Sequence, residues 1–250
     1  MNKIFSFYAF GFLLIIMAGC TKTQGLTGPP GHLLKGNIIG YVDLFDQYGN
    51  LQNLDGVTVS IEGSTITATT NSFGAFQLDS VPTGTYAIDF KKAGYGDGKI
   101  ISFQHVGGSN SYLNNHIEMS KIPDFYLTSA TASNGIQYLT VTGNFNTNDM
   151  QPKSVIAFIG SNSNVSSKAG TYYNTVISTN GQPGSTYSVN IGWDILHASG
   201  FPRNSTVYIA VYGSANVVNS SSYMDPATGS TVYNAVSTQT SATTSATVDR

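Results

Sequence analysis

Val57-Thr58-Val59-Ser60-Ile61-Glu62 places an apolar side chain at every second position. Phe76-Gln77-Leu78-Asp79 repeats the pattern, and Tyr86-Ala87-Ile88-Asp89-Phe90-Lys91 repeats it again. Alternation with period two turns one face of an extended chain to a core and the other to water, the mark of a half-buried strand. Between these runs stand Asn71-Ser72-Phe73-Gly74 and Pro82-Thr83-Gly84, turn sequences in which glycine can supply a positive φ. From residue 34 to residue 120, strand and turn signals alternate every ~8–12 residues, the spacing of a β-sandwich.

A second unit begins at Lys121-Ile122-Pro123, where proline restricts the residue before it and blocks a continuing ladder. Strands are expected at 125–131, 136–145, 154–160, 172–178, 185–191, 206–212 and 231–237. Ser133-Asn134-Gly135 and Asn180-Gly181-Gln182-Pro183-Gly184 read as turns between them. Seven strands over this length suggest an immunoglobulin- or fibronectin-III-like sandwich. The expected fold class is therefore all-β, two tandem sandwiches over 34–120 and 121–250. Trp193–Ala198 is the one helical segment, with Asp194 and His197 three apart on one turn. The tail after Thr238 is rich in Ser, Thr and Ala, and Val248 continues its alternation, which predicts a last edge strand.

Composition supports strands over helices. The chain of 250 residues carries 27 glycines, 15 tyrosines and 13 phenylalanines, types that favour turns and pleated surfaces. Charged residues make up 10% and the net charge is −2, against roughly 25% charged in an ordinary soluble protein. The few lysines and arginines are scattered, which excludes the clustered basic face that nucleic acid requires. A single cysteine excludes an intrachain disulfide and a four-cysteine zinc site.

That cysteine follows an export signal. Lys3 precedes an uncharged apolar run from Ile4 to Met17, about 21 Å as a helix and short of the ~30 Å bilayer core. Residues 1–19 thus read as a signal peptide. Met17-Ala18-Gly19-Cys20 resembles the lipobox of bacterial lipoproteins, which implies cleavage before Cys20 and acylation of its thiol and new amine. Several acyl chains would hold the protein stably in a membrane. Residues 20–33 contain Gly25-Leu26-Thr27-Gly28-Pro29-Pro30-Gly31, too few Gly-X-Y triplets for a triple helix, and read as an extended tether. A short collagen-like stretch after the cysteine resembles those of Bacteroidetes-type surface lipoproteins, which implies an outer-membrane location, facing the periplasm or the cell surface.

The first sandwich carries a further likeness. Asp55-Gly56-Val57-Thr58-Val59, Thr69-Thr70-Asn71-Ser72-Phe73-Gly74-Ala75-Phe76, Val81-Pro82-Thr83-Gly84-Thr85-Tyr86 and Ala93-Gly94-Tyr95 resemble the carboxypeptidase regulatory-like domain over residues 35–105. The resemblance implies a transthyretin-like, seven-stranded sandwich with an accessory or binding role and no catalytic residues of its own.

A search for chemistry returns little. His32, His105, His116 and His197 form no HExxH or other metal-ligand spacing. No serine sits in a GxSxG elbow. Asp43, Asp46 and Asp55, with Asn50 and Asn53, could offer oxygen ligands to calcium, but the Asp46–Asn50 stretch more simply reads as a turn. Gly94-Tyr95-Gly96-Asp97-Gly98 precedes a strand, whereas a phosphate cradle opens a helix. Asp194, beside Trp193 and Ile195, is the one aspartate whose neighbours suggest an apolar setting. No cofactor and no metal is expected.

Aromatic residues crowd the second unit. Trp193, Tyr172, Tyr173 and Tyr223 are the candidate ligand-binding residues, and core packing is the competing role for such rings. Tyrosine among Ser, Asn and Gly also resembles the composition of a binding surface. The expected function is non-catalytic surface binding or adhesion with a glycan or a protein as partner. The alternatives are a structural or assembly subunit of an envelope transport or polysaccharide complex and, behind it, an accessory module of an enzyme.

Overall fold

The computed structural model describes residues 33–167, 175–216, 222–240 and 243–249. The expected signal peptide, Cys20 and all of the tether but Leu33 lie outside the described residues, as do Tyr172 and Tyr173. Among the described residues no helix is long and apolar enough to cross a membrane. The fold is all-β.

Eight strands form the first half: β1 (Lys35–Phe45), β2 (Thr58–Ile61), β3 (Thr67–Thr69), β4 (Ala75–Pro82), β5 (Gly84–Lys91), β6 (Gly98–His105), β7 (Ser111–Tyr112) and β8 (Ile117–Ser120). One sheet has β4 antiparallel to β1, with β7 and β8 parallel to successive stretches of β1. The other has the order β3-β2-β5-β6. The alternating residues of the sequence face inward between them: Val59 and Ile61, Phe76 and Leu78, Ile88 and Phe90, against Ile38, Val42 and Leu44 of β1.

The two expected glycine turns differ. Gly74 takes φ 74°, and Asn71 Oδ1 accepts from the N–H groups of Phe73 and Ala75 at 2.9 and 3.1 Å. A Cβ at Gly74 would also stand 2.2 Å from the Val42 carbonyl oxygen. Gly84, by contrast, has no positive φ; that conformation falls on Ser80, at φ 56°. Ser80 lies where the β1–β4 register slips, and its N–H donates to Asn37 Oδ1 at 3.2 Å. The irregularity is therefore a bulge on β4, two residues before the expected turn.

The second half comprises β9 (Thr131–Asn134), β10 (Tyr138–Asn144), β11 (Lys153–Gly160), β12 (Thr175–Gln182), β13 (Thr186–Gly192), α1 (Trp193–Ala198), β14 (Thr206–Ser214), β15 (Ser222–Asp225), β16 (Ser230–Tyr233), β17 (Val236–Thr240) and β18 (Thr244–Thr247). A three-stranded sheet, β13-β10-β9, faces a five-stranded sheet built on β12-β11-β14-β17, with β18 also paired to β14. Leu139, Val141, Val189 and Ile191 of the first meet Val155, Ala157, Val207 and Ile209 of the second. The opposite face of β11 is covered too, since Phe158 packs against Tyr212 and Tyr233. Val155-Ile156-Ala157-Phe158-Ile159 is a continuous apolar run for that reason: both its faces are buried.

Several expected boundaries move. Residues 125–130 are not a strand; Phe125 and Leu127 are buried anchors, with Leu127 bridged to Phe145 before β9 begins. Asn180, Gly181 and Gln182 belong to β12 and not to a turn, which narrows to residues 183–185, with Gly184 at φ 91°. The strand expected at 231–237 divides into β16 and β17 around Asn234-Ala235. Helix α1 and the final strand β18 stand where the sequence placed them, and Val248 is fully buried.

Candidate functional site

The rings of the second half mostly belong to the core. Trp193 is 6% exposed, and its indole N–H donates to the Gly135 carbonyl at 3.3 Å. It packs in the core of the sandwich, the competing role for such rings. Tyr187 is buried with its hydroxyl on Ser129 O at 2.9 Å. Tyr223 is half-buried on the β15–β16 hairpin opposite Val232. Burial pushes the Tyr233 phenol up from its ordinary value.

The calcium candidates do not converge. Asp43 Oδ2 meets His116 Nδ1 at 2.9 Å on the outer face of the first sheet. Asp46 is absorbed by its own turn. Burial works against its carboxylate, but hydrogen bonds from the Asn50 side chain and from the N–H groups of Asn50 and Tyr48 outweigh that and hold its pKa below the ordinary value. Asp55 is exposed. Among the described residues no three His, Cys, Asp or Glu side chains gather around a metal-sized space. His105 is buried, with Nδ1 on Ser111 Oγ at 2.8 Å and Nε2 on Val81 O at 3.1 Å, so both ring nitrogens are engaged within the fold.

Asp194 and His197 occupy α1 as expected, but Asp194 is exposed to solvent. A general acid needs an apolar, water-poor setting, and this carboxylate does not have one. His197 Nδ1 is 3.0 Å from the Phe201 carbonyl oxygen, at the helix end.

A surface the sequence reading passed over is the outward face of β9, β10 and β13. Strand register aligns Thr131, Thr142 and Ser188 across the three strands, and Ser133, Thr140 and Asn190 in the next row. Asn144 and Thr186 pair at one end, and Tyr138 stands opposite Gly192 at the other. From Asn144 to Tyr138 the face runs about 20 Å. None of the three strands contains a charged residue. Thr140 donates to Asn190 Oδ1 at 3.0 Å, which fixes one amide in place. Tyr138 is 48% exposed. At the Asn144 end an open depression of ≈ 440 Å³ is lined by Ser129, Thr131, Thr142, Asn144, Thr186 and Ser188 among others. Hydroxyls and amides both donate and accept, so this face offers paired hydrogen-bonding groups without charge.

The signal was present in the sequence as Tyr138-Leu139-Thr140-Val141-Thr142 and Thr186-Tyr187-Ser188-Val189-Asn190. Their alternation gave the inward faces. What it withheld was the pairing, which sets the two polar rows side by side.

An exposed aromatic pair lies on the first half. Tyr41 stacks on His116 with centroids 5.1 Å apart and planes 21° from parallel. Each ring covers one face of the other, and Asp43 ties the pair down.

No family model matches the chain. No curated protein matches it. Among solved structures it is similar to a proposed carbohydrate-binding protein from Bacteroides uniformis, at 16% identity over 86% of this chain and 99% of that one, TM-score 0.32. It is similar also to a DUF3823 family protein from Bacteroides ovatus, at 10% identity over 86% and 100%, TM-score 0.30. A cohesin–X-dockerin complex from Acetivibrio cellulolyticus is matched at 25% identity over 34% of this chain and 58% of that one, TM-score 0.29.

Proposed function

We propose that this protein is a non-catalytic binding lipoprotein of the outer membrane, and that its ligand is a neutral glycan held on the outward face of β9, β10 and β13. The observation that carries the reading is the uncharged ladder of hydroxyl and amide groups on that face. A polyhydroxylated, uncharged chain matches it group for group, because each sugar hydroxyl is a donor and an acceptor. An anionic partner would find no cation on these three strands.

The N-terminal half serves in this reading as a carboxypeptidase regulatory-like spacer. Acylated Cys20 anchors it, and residues 20–33 are the tether. The face lies on the half of the sequence farther from the anchor, which suits a ligand met outside the membrane.

Native gel electrophoresis through embedded neutral polysaccharides tests the proposal. The full-length protein in detergent is expected to be retarded by at least one neutral polymer, without releasing reducing ends. The pair Thr142→Val and Ser188→Ala removes two hydroxyls from one row and is expected to weaken retardation about tenfold. Equal retardation of parent and double variant would move the ligand off this face.

A further inference from the structure

We infer that Tyr138, Gly192 and Asp194 form a sugar-ring subsite at the far end of this face, specific for an uncharged pyranose with free adjacent hydroxyls. The inference rests on the glycan-binding reading and names the element that selects the sugar.

The geometry starts with a glycine. Gly192 has φ −63° and ψ 141°, ordinary extended backbone open to any residue. Backbone conformation therefore gives no reason for glycine here. Space does: a Cβ at Gly192 would stand 2.3 Å from Asp194 Oδ1. Position 192 has the parity of Thr186, Ser188 and Asn190 but, where those are exposed, is itself buried; the carboxylate oxygen occupies the room of an outward side chain there. The residue paired with Gly192 across the ladder is Tyr138. Directly paired positions on one sheet face hold their Cβ atoms about 5 Å apart. An exposed phenol ring and an exposed carboxylate thus flank the same end of the face, with Asn190 and Thr140 in the next row.

These groups divide the work of holding a sugar. The ring offers an apolar face to the C–H side of a pyranose. The carboxylate accepts from two hydroxyls, and hydrogen bonds to a charged acceptor are the stronger kind. Asp194 is the only charge that reaches this end from β13 or α1, as the strand has none and His197 is the only other titratable residue of α1. A uronate or sulfated sugar would bring its own negative charge against that carboxylate.

The test uses full-length protein in detergent, with galactomannan and xyloglucan as neutral probes and polygalacturonate as the anionic one. Binding is read as retardation in native gels. Tyr138→Ala and Asp194→Asn are each expected to weaken binding of the neutral probe about tenfold. Gly192→Ala keeps the carboxylate but displaces it, since the clash is with the end of a flexible side chain, and is expected to weaken binding as well. Polygalacturonate should not retard the parent. Unchanged melting temperatures separate a lost contact from a lost fold. Parent-like binding by all three variants, with binding weakened by Thr142→Val and Ser188→Ala, would overturn the subsite and leave the binding face standing. Retardation by polygalacturonate as strong as by the neutral probes would overturn the role given to Asp194. A parent that binds neither neutral probe would overturn the reading and the subsite together.

Discussion

Tyr48 stacks on Phe125, with ring centroids 6.3 Å apart and planes 14° from parallel. By sequence Tyr48 belongs to the first half, yet its ring packs against the core of the second. The contact is set in a hydrogen-bonded frame. The Gln47 side-chain amide donates to Asp124 Oδ1 at 2.7 Å and accepts the Asp124 N–H at 2.8 Å. Asn216 donates from its backbone to Gln47 O at 3.1 Å and from its side chain to Tyr48 O at 2.8 Å. Gln47 is buried with these groups satisfied, so the turn acts as a plug in the second sandwich.

Removing the ring should therefore destabilise a half that does not contain it. Tyr48→Ala is expected to cost about 2 kcal/mol, less than a fully buried aromatic because the ring is half-exposed. Trp193 is the single tryptophan and lies in that same core. Its emission during urea unfolding should show an earlier midpoint in the variant. A fragment starting at Lys121 should show the same loss, since it lacks Tyr48 and both acceptors of Asn216. An unchanged Trp193 midpoint in both would mean the plug contributes nothing.

Acid should weaken the fold through Asp149. Lys153 is fully buried, and its ammonium donates to the carbonyl oxygens of Asp149, Gly184 and Gln151 at 2.7, 3.2 and 3.3 Å, and pairs with the Asp149 carboxylate at 2.7 Å. That ammonium first, and the Thr147 hydroxyl next, hold the Asp149 carboxyl down at about 2. A carboxyl depressed below its unfolded value of ~3.9 contributes stability that is present above that value and lost as pH falls through the folded one. Urea midpoints should fall between about pH 4 and pH 2 in the parent, and Asp149→Asn should flatten that part of the profile. Lys153→Met should cost about 3 kcal/mol at neutral pH, because it leaves three part-buried carbonyls and the Asp149 carboxylate without their cation.

The sequence showed the inward faces plainly because burial imposes period two on Val57 to Ile61 and Tyr86 to Lys91. It showed α1, bracketed by Gly192 and Gly200, and it showed β18 through Val248. It did not show the plug, because Tyr48 and Phe125 meet only through tertiary contact. The candidate face was hidden for a related reason. Thr, Ser and Asn on separate strands carry no motif, and only register makes rows of them. Trp193 fills the core, the competing role for such rings, and Tyr138 is the exposed ring on the proposed face.

The proposed lipid anchor has its own test. Cys20→Ala should remove the protein from the membrane fraction or leave its signal segment uncleaved. A processed Cys20→Ala protein that still partitions into detergent as the parent does would dismiss acylation at that position.

The most direct measurement of the central claim is a backbone amide chemical-shift titration with an oligosaccharide cut from whichever neutral polymer retards the protein most. Shifts are expected to concentrate at Thr131, Thr142 and Ser188 and to continue to Tyr138 and Asp194. Shifts gathered instead around Tyr41 and His116, or spread evenly with none on β9, β10 and β13, would contradict it.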